Sequence, residues 1–193
     1  MRPCLGFVLC AILVPAIYGQ SKLDFPQMVV GGGYETVIQI INEVEADNTI
    51  LIEVFDGWLS GASNGTPCPV QFDGGDPAST RSITLRPFQE VTTTLTLPGS
   101  TIQNGWVAIH SATPGGKVSG NLIFRQKDGG RVADSVGVAS SQRYRHGVIQ
   151  IDERDDGSYT GLAFVNPNPA PVTVALDLFQ AAEKVASFSS VAA

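Results

Sequence analysis

A strand–turn–strand pattern occurs twice in this chain of 193 residues, and it constrains the fold more than any other feature. Residues 33–56 align without gaps on residues 157–180, an offset of 124 positions. Six positions are identical: Gly33/Gly157, Thr36/Thr160, Asn42/Asn166, Ala46/Ala170, Thr49/Thr173 and Phe55/Phe179. A pattern that recurs at a fixed distance is typical of proteins built from repeated units.

The second strand of each copy keeps the same alternation of apolar and polar residues. The matched positions are Ile50 with Val174, Ile52 with Leu176, Val54 with Leu178 and Glu53 with Asp177. A period of two residues places apolar side chains on one face of a β-strand and polar ones on the other. We therefore predict that each copy is a pair of β-strands with one face in a core.

The sequence between the two copies is also typical of β-structure. It is rich in Thr, Ile, Leu and Val, and turns containing Gly or Pro divide it into predicted strands. These lie at residues 82–85, 91–97, 105–111, 119–126 and 131–138. No window has the period of a helix. Many short strands joined by such turns predict an all-β fold, an immunoglobulin-like antiparallel β-sandwich with a partial second repeat unit.

The repeat divides the chain into three predicted parts. Residues 1–19 are a signal peptide, residues 20–145 a β-sandwich domain, and residues 146–193 a partial second β unit. Two strands alone are only marginally stable in water. The second strand pair is therefore expected to dock on the first unit, to leave open edges for a partner, or to belong to a truncated repeat.

The first 19 residues have the order of a secretory signal peptide. Arg2 forms a short basic region, an apolar stretch covers residues 5–14, and Pro15 ends it. Small residues follow, so we predict cleavage after Gly19 or Ala16. Because the apolar stretch is shorter than the about 20 residues that cross a bilayer, we expect export to the periplasm, cell surface or medium rather than a membrane span.

The predicted mature chain is acidic and poor in cysteine. Of 12 basic and 18 acidic residues, only Arg2 is lost with the signal peptide, which leaves a net charge of −7. Such a surface repels phosphate groups, so nucleic acid is not expected as a partner. Cys68 is the one cysteine beyond residue 19, so it is either a loop thiol or a small buried side chain.

One motif suggests a nucleophilic enzyme, but its neighbours argue against that function. Residues 61–65 match the G-x-S-x-G pattern of hydrolases around Ser63. That pattern acts where a strand turns into a helix. Pro67 and Pro69 follow at once and oppose a helix. We therefore predict no catalytic residue and no cofactor.

Acidic turns raise the question of a calcium site. Residues 152–157 carry four acids, but Arg154 stands at a ligand position of an EF-hand register. The two histidines have no partner at the spacing of zinc ligands. We predict solvated turn charges and no metal, and the alternative is a looser calcium site that uses these acids or Asp73 and Asp76.

Trp58 is the best candidate for ligand recognition. It follows the end of a predicted strand and opens a loop rich in Gly, Ser and Asn. An exposed indole beside Asn64, Asp73 and Asp76 would stack on a sugar face and offer hydrogen bonds to its hydroxyls. The alternative is that the ring folds back as a plug of the sandwich. Trp106, inside a strand, is expected in core or sheet-surface packing.

Several short segments, in this order, resemble a sandwich unit found in uncharacterised exported bacterial proteins. They are residues 23–27, 31–33, 104–107, 111–114, 119–125 and 160–167. The resemblance implies repeated immunoglobulin-like sandwiches outside the cytoplasm, and it implies no activity. The function favoured by the sequence is a non-catalytic structural or adhesive module that contacts protein or matrix through open strand edges. Carbohydrate binding through Trp58 is the alternative.

Overall fold

The computed structural model describes residues 21–57, 65–141, 144–151, 161–168 and 170–192. Within these ranges the chain forms twelve β-strands and no helix. The strands are β1 Lys22–Val30, β2 Tyr34–Asn42, β3 Asn48–Asp56, β4 Val70–Phe72, β5 Pro77–Ala78, β6 Thr80–Leu85, β7 Glu90–Thr96, β8 Gln103–Ser111, β9 Val118–Asp128, β10 Arg131–Ala139, β11 Val172–Gln180 and β12 Glu183–Ala192. The predictions of an all-β fold and of strands between the two copies are confirmed.

The first ten strands form two antiparallel sheets in an open, sandwich-like arrangement. One sheet has the order β1-β8-β3-β6, and the other has the order β10-β9-β2-β7-β4-β5. β2 and β3 follow each other in sequence but belong to different sheets, so the turn between them carries the chain across the core. β11 and β12 form a separate two-stranded sheet.

An apolar cluster lies between the two larger sheets. On β3 the alternation predicted from sequence is seen directly, since Ile50, Ile52 and Val54 have no exposed surface. Ile38 and Ile40 of β2 belong to the same cluster on the opposite sheet. Burial of side chains of this size from both sheets provides the main favourable contribution to folding of this part of the chain.

Two buried asparagines join the turns at one end of this sandwich. Asn42 and Asn48 have no exposed surface. The side-chain amide of Asn42 donates to the backbone oxygens of Ala46 at 2.9 Å and Arg86 at 2.8 Å, and that of Asn48 donates to the oxygen of Lys117 at 3.2 Å. Because each buried polar group has partners, the pair links three connections without an uncompensated desolvation cost.

Cys68 lies in the core rather than in an exposed loop. Its side chain is buried within the apolar cluster. Burial, together with a hydrogen bond and charge repulsion from Asp56, raises the pKa of its thiol to about 12. A thiol with this pKa stays protonated at neutral pH and is a poor nucleophile.

The strand expected at the start of the second copy is not formed in the described residues of that segment. Residues 161–167 have no strand assignment, although the aligned residues of the first copy are β2. β2 is held by β7 on one side and β9 on the other. Within the described residues, β11 and β12 pair only with each other, so residues 161–167 have no strand beside them. In the part of the chain that is described, no helix is long and apolar enough to cross a membrane.

Candidate functional site

The residues predicted to bind a ligand are only partly described. Trp58 and Asn64 lie outside the described residues, and so do Ser63 and the acidic residues 152–157. Asp73 and Asp76 are described and lie in the connection between β4 and β5. The prediction of a ligand site around Trp58 therefore stays a prediction.

Asp73 is held by side chains from both sheets of the sandwich. Its Oδ2 accepts from the Arg81 guanidinium and from Thr93 Oγ1 at 3.1 Å, and its Oδ1 accepts from the Thr94 amide at 2.8 Å. Arg81 belongs to β6 and the two threonines belong to β7, which are in opposite sheets. The Asp73 carboxylate thus closes one edge of the sandwich, and both of its oxygens are engaged.

Hydrogen bonding keeps Asp73 ionised. Partial burial by itself raises the pKa of this carboxyl, but the hydrogen bonds from Thr94, Arg81 and Thr93 outweigh it and lower the pKa below the ordinary value. Hydrogen bonds to the charged form of a carboxyl favour that form. This geometry gives Asp73 a role in joining the sheets.

The described residues contain no cluster of three or more His, Cys, Asp or Glu side chains that would suit a metal ion. One acid–histidine contact is present on the outer face of the first sheet, where His110 Nδ1 lies 3.4 Å from Glu53 Oε2.

An aromatic pair lies on the same outer face. The rings of Phe55 and Trp106 are stacked, with centroids 4.3 Å apart and planes inclined by 16°. The expectation of core or sheet-surface packing for Trp106 is confirmed, since the residue is half-buried on the surface of the sheet. Each ring covers one face of the other, so less ring surface is left for stacking on a ligand.

The hairpin of β11 and β12 carries exposed apolar side chains on one face. Leu176 pairs with Phe188 and Leu178 pairs with Ala186, so their side chains share one face. Phe188 is 63% exposed and Leu178 is 36% exposed. The aligned side chains of β3 have no exposed surface, so the same alternation has two different outcomes in one chain.

The turns that precede β3 and β11 have the same hydrogen bonds. Asn42 donates to the Ala46 oxygen at 2.9 Å and accepts from the Val44 amide at 3.2 Å. Asn166 donates to the Ala170 oxygen at 2.8 Å and accepts from the Asn168 amide at 3.2 Å. The participating residues are each 124 positions apart, although the first turn is acidic and the second is rich in proline.

The strands that follow these turns also correspond. β3 and β11 have bounds that differ by 124 positions at both ends. β6 is paired with β3 so that Leu85 lies opposite Asn48, and β12 is paired with β11 so that Ala192 lies opposite Val172, the residue aligned with Asn48. β12 thus pairs antiparallel with β11, as β6 does with β3. Sequence comparison alone missed β12, because no residue of β12 lies within the aligned segments.

The other edge of the two strands differs. β3 is bonded on its second side to β8, whereas in the described part of the chain β11 has no second strand. The N–H and C=O groups on this side of β11 are available to a further strand. A half-exposed apolar face and a free edge therefore occur together in the hairpin.

Comparisons with known proteins do not assign the chain. No protein-family model matches it, and no curated protein matches it. The crystal structure of Thermotoga maritima 1070 is similar with a TM-score of 0.40 and 11% sequence identity, over 64% of this chain and 96% of that one. No conclusion about function follows from a similarity of this size.

Proposed function

We propose that this protein is a non-catalytic structural or adhesive β-sandwich module, exported from a bacterial cell, that contacts a protein or matrix partner through the β11–β12 hairpin. The observation that carries the proposal is the exposed apolar face of this hairpin, with Phe188 63% and Leu178 36% exposed. Contiguous apolar patches on a folded surface mark interaction sites.

The hairpin belongs, in this proposal, to a second immunoglobulin-like unit that repeats the first. Two observations support this. The turns at Asn42 and Asn166 have the same hydrogen bonds, and the bounds of β3 and β11 differ by 124 positions at both ends. The first unit buries this face within its own sandwich. A second unit that presents the face instead would use it for recognition.

Export is the second element of the proposal, and its support is the basic, apolar and small-residue order of residues 1–19. The expected location is the periplasm, the cell surface or the medium. Expression of the full chain in a bacterial host, fractionation and intact-mass measurement test it. We expect the exported protein to have lost residues up to Ala16 or Gly19, and a full-length cytoplasmic protein would contradict export.

The binding function is tested on immobilised cell-envelope and extracellular-matrix fractions. We expect saturable retention of the wild-type chain and loss of retention in Phe188→Glu, which places a charge on the apolar face. Ser189→Glu, at an exposed position on the opposite face of the same hairpin, is the matched control and should bind like the wild type. Equal retention of Phe188→Glu and wild type would contradict a role for the hairpin, and no retention of wild type would contradict adhesion.

Carbohydrate binding is the second candidate function. Its support is Trp58, which opens a loop rich in Gly, Ser and Asn directly after β3. A glycan array with wild type and Trp58→Ala tests it. Binding by the wild type that the variant loses supports this candidate, and no binding by either removes it.

A further inference from the structure

We propose that residues 144–151 are a site of proteolytic processing, where an endopeptidase that prefers basic residues hydrolyses the Arg145–His146 bond. Cleavage at this bond separates the sandwich of β1–β10 from the β11–β12 hairpin. The inference rests on the proposed function and adds its regulation, because hydrolysis of one bond would end attachment of the sandwich through the hairpin.

Residues 144–151 are open to solvent along their whole length. They belong to no strand, and every one of them is exposed. Tyr144 is 73% exposed, and Val148 is 101% exposed although its side chain is apolar. Exposed segments without secondary structure are the preferred sites of proteolytic cleavage, because an enzyme reaches them without any opening of the fold.

The backbone of this segment is also unengaged within the part of the chain that is described. None of the hydrogen bonds that join described residues outside the strands involves residues 144–151. Extended peptides are bound through their backbone N–H and C=O groups, and a protease needs these groups in its substrate. The segment offers eight consecutive residues for this purpose.

The sandwich closes before this segment begins. The Ser141 amide donates to the Asp24 oxygen at 2.8 Å, which joins the chain after β10 to β1. Among the described residues, no later backbone hydrogen bond joins the chain to the sandwich. The apolar cluster and the side chains packed against it include no described residue beyond Val138. Hydrolysis after Arg145 therefore breaks none of the contacts that hold the sandwich together.

The basic residues of the sandwich are poorer substrates than Arg145. Four of them lie in paired strands beside carboxylates, namely Lys22, Arg81, Arg125 and Lys127. Arg86 is followed by Pro87, and a bond to the proline nitrogen has no amide hydrogen and resists enzymes of this class.

The difference in pairing predicts a difference in rate. A strand must leave its sheet before it enters the cleft of a protease, and the open form is a small fraction of the folded population. Arg145 needs no such step. We expect cleavage after Arg145 to be at least about 100-fold faster than cleavage within β9, which is paired on both sides.

The reaction is hydrolysis of one peptide bond by a serine-type endopeptidase with water as the second reactant. The oxygen of water adds to the carbonyl carbon of Arg145, and the bond from this carbon to the nitrogen of His146 breaks. Arg145 then ends in an α-carboxylate, and the nitrogen of His146 becomes an α-amine. One product contains β1–β10, and the other contains the hairpin.

Limited proteolysis of the full chain tests the site, with trypsin as the probe. Intact-mass measurement should show first products that end at Arg145 and begin at His146. Arg145→Gln should slow their separation at least about tenfold, and Arg145→Lys should preserve it, since the enzyme pocket recognises a cation. Arg131→Gln, at an exposed position of β10, is the matched control and should be cut like the wild type. A first cut at any other basic residue would overturn the assignment.

Hydrogen exchange tests the openness of the segment without any protease. Amides of residues 145–151 should exchange nearly as fast as those of an unstructured peptide. Amides of β2, which lies between β7 and β9, should exchange at least about 100-fold more slowly. Strong protection of residues 145–151 would overturn the proposal. After cleavage, protection of β2 should be unchanged, and its loss would contradict a sandwich that closes before the segment.

Release from matrix separates this inference from the proposed function. On a fraction that retains the full chain, brief treatment with trypsin should release the product that ends at Arg145, whereas Arg145→Gln should stay bound. Cleavage at Arg145 without retention of the uncut chain would support the processing site and contradict adhesion. Retention without cleavage at Arg145 would leave adhesion standing and overturn the processing site. A cleaved sandwich that stays bound would overturn the role of cleavage in ending attachment.

Discussion

β3 and β11 are two strands of one chain that have the same length and the same hydrogen bonds in the preceding turn, yet only β3 is buried. The inner residues of β3 have no exposed surface, whereas Leu178 is 36% exposed. β3 has strands on both sides and a second sheet over its face, and in the described residues β11 has one strand. Local sequence therefore defines the strand and its inner face, but neighbours decide whether that face is buried.

The strongest test of this difference in burial is to truncate side chains at aligned positions of the two strands. Ile52→Ala leaves a cavity in the closed core and should lower the free energy of unfolding by about 2–5 kcal/mol. Leu176→Ala, at the aligned position, should lower it by less than about 1 kcal/mol because the surrounding face is half-exposed. Urea denaturation of both variants measures the difference, and equal losses would show that the second strand is buried as fully as the first.

The two turn asparagines provide the next largest contrast. Asn42→Ala removes the donor to Ala46 and Arg86 in a fully buried site and should cost about 1–3 kcal/mol. Asn166→Ala removes the equivalent bond to Ala170 at a half-buried turn and should cost about 0.5–1 kcal/mol. Thermal unfolding followed by circular dichroism compares them. A larger effect of Asn166→Ala would mean that the second turn is the more strongly constrained.

The hairpin turns of β9–β10 and β11–β12 differ in backbone strain, and we expect a smaller effect from this difference. Gly129 and Gly130 adopt positive φ in the first turn, and Ala181 and Ala182 adopt positive φ in the second, at 47° and 70°. Alanine is strained in this conformation by roughly 1–2 kcal/mol per residue, whereas Asn-Gly suits the turn. The double variant Ala181→Asn/Ala182→Gly should slow hydrogen exchange of β11 and β12 amides, and Gly130→Ala should speed exchange of β10. Unchanged exchange in the first variant would show that the turn does not limit the hairpin.

The smallest expected effect is the pH dependence of the edge formed by Asp73. Its pKa is lowered in the folded protein, so its contribution to stability is fully present above the unfolded value, about 3.9, and is lost as pH falls through the folded pKa. Asp73→Asn should destabilise the sandwich at neutral pH, by about 1 kcal/mol or less because the pair is partly exposed, and should flatten the acid limb of the stability curve. Urea midpoints between pH 2 and 7 test this, with Asp76→Asn as the control. Parallel curves for wild type and Asp73→Asn would contradict the role of the carboxylate.

Periodicity and turn residues predicted much of the fold. The alternation at Ile50, Ile52 and Val54 placed the core face of β3 correctly, and the turn at residues 127–130 placed the hairpin of β9 and β10. β1 is harder to predict because Pro26 interrupts its pattern, and the structure shows an irregular register between Phe25 and Met28. Such an irregularity interrupts the two-residue alternation from which a strand is predicted.

The candidate site was less predictable than the fold. In the sequence, nothing distinguishes Asp73 from an acid in a solvated turn. Only its contacts with Arg81 and Thr93, which belong to opposite sheets, show that it joins the two sheets. The exposed face of β11 was equally hidden, since its alternation matches that of the buried strand. A linear pattern shows which side of a strand is apolar, but it does not show what lies against that side.

By itself, the sequence determined the β-structure, the turn and strand that β3 and β11 share, and the apolar face of these two strands, because these depend on residues within a few positions of one another. Tertiary structure alone decided that β3 lies between β8 and β6, that Asp73 joins two sheets and that β11 has an open edge within the described residues. Burial and free hydrogen-bonding groups depend on segments that are distant in sequence, and such segments leave no mark on the local pattern.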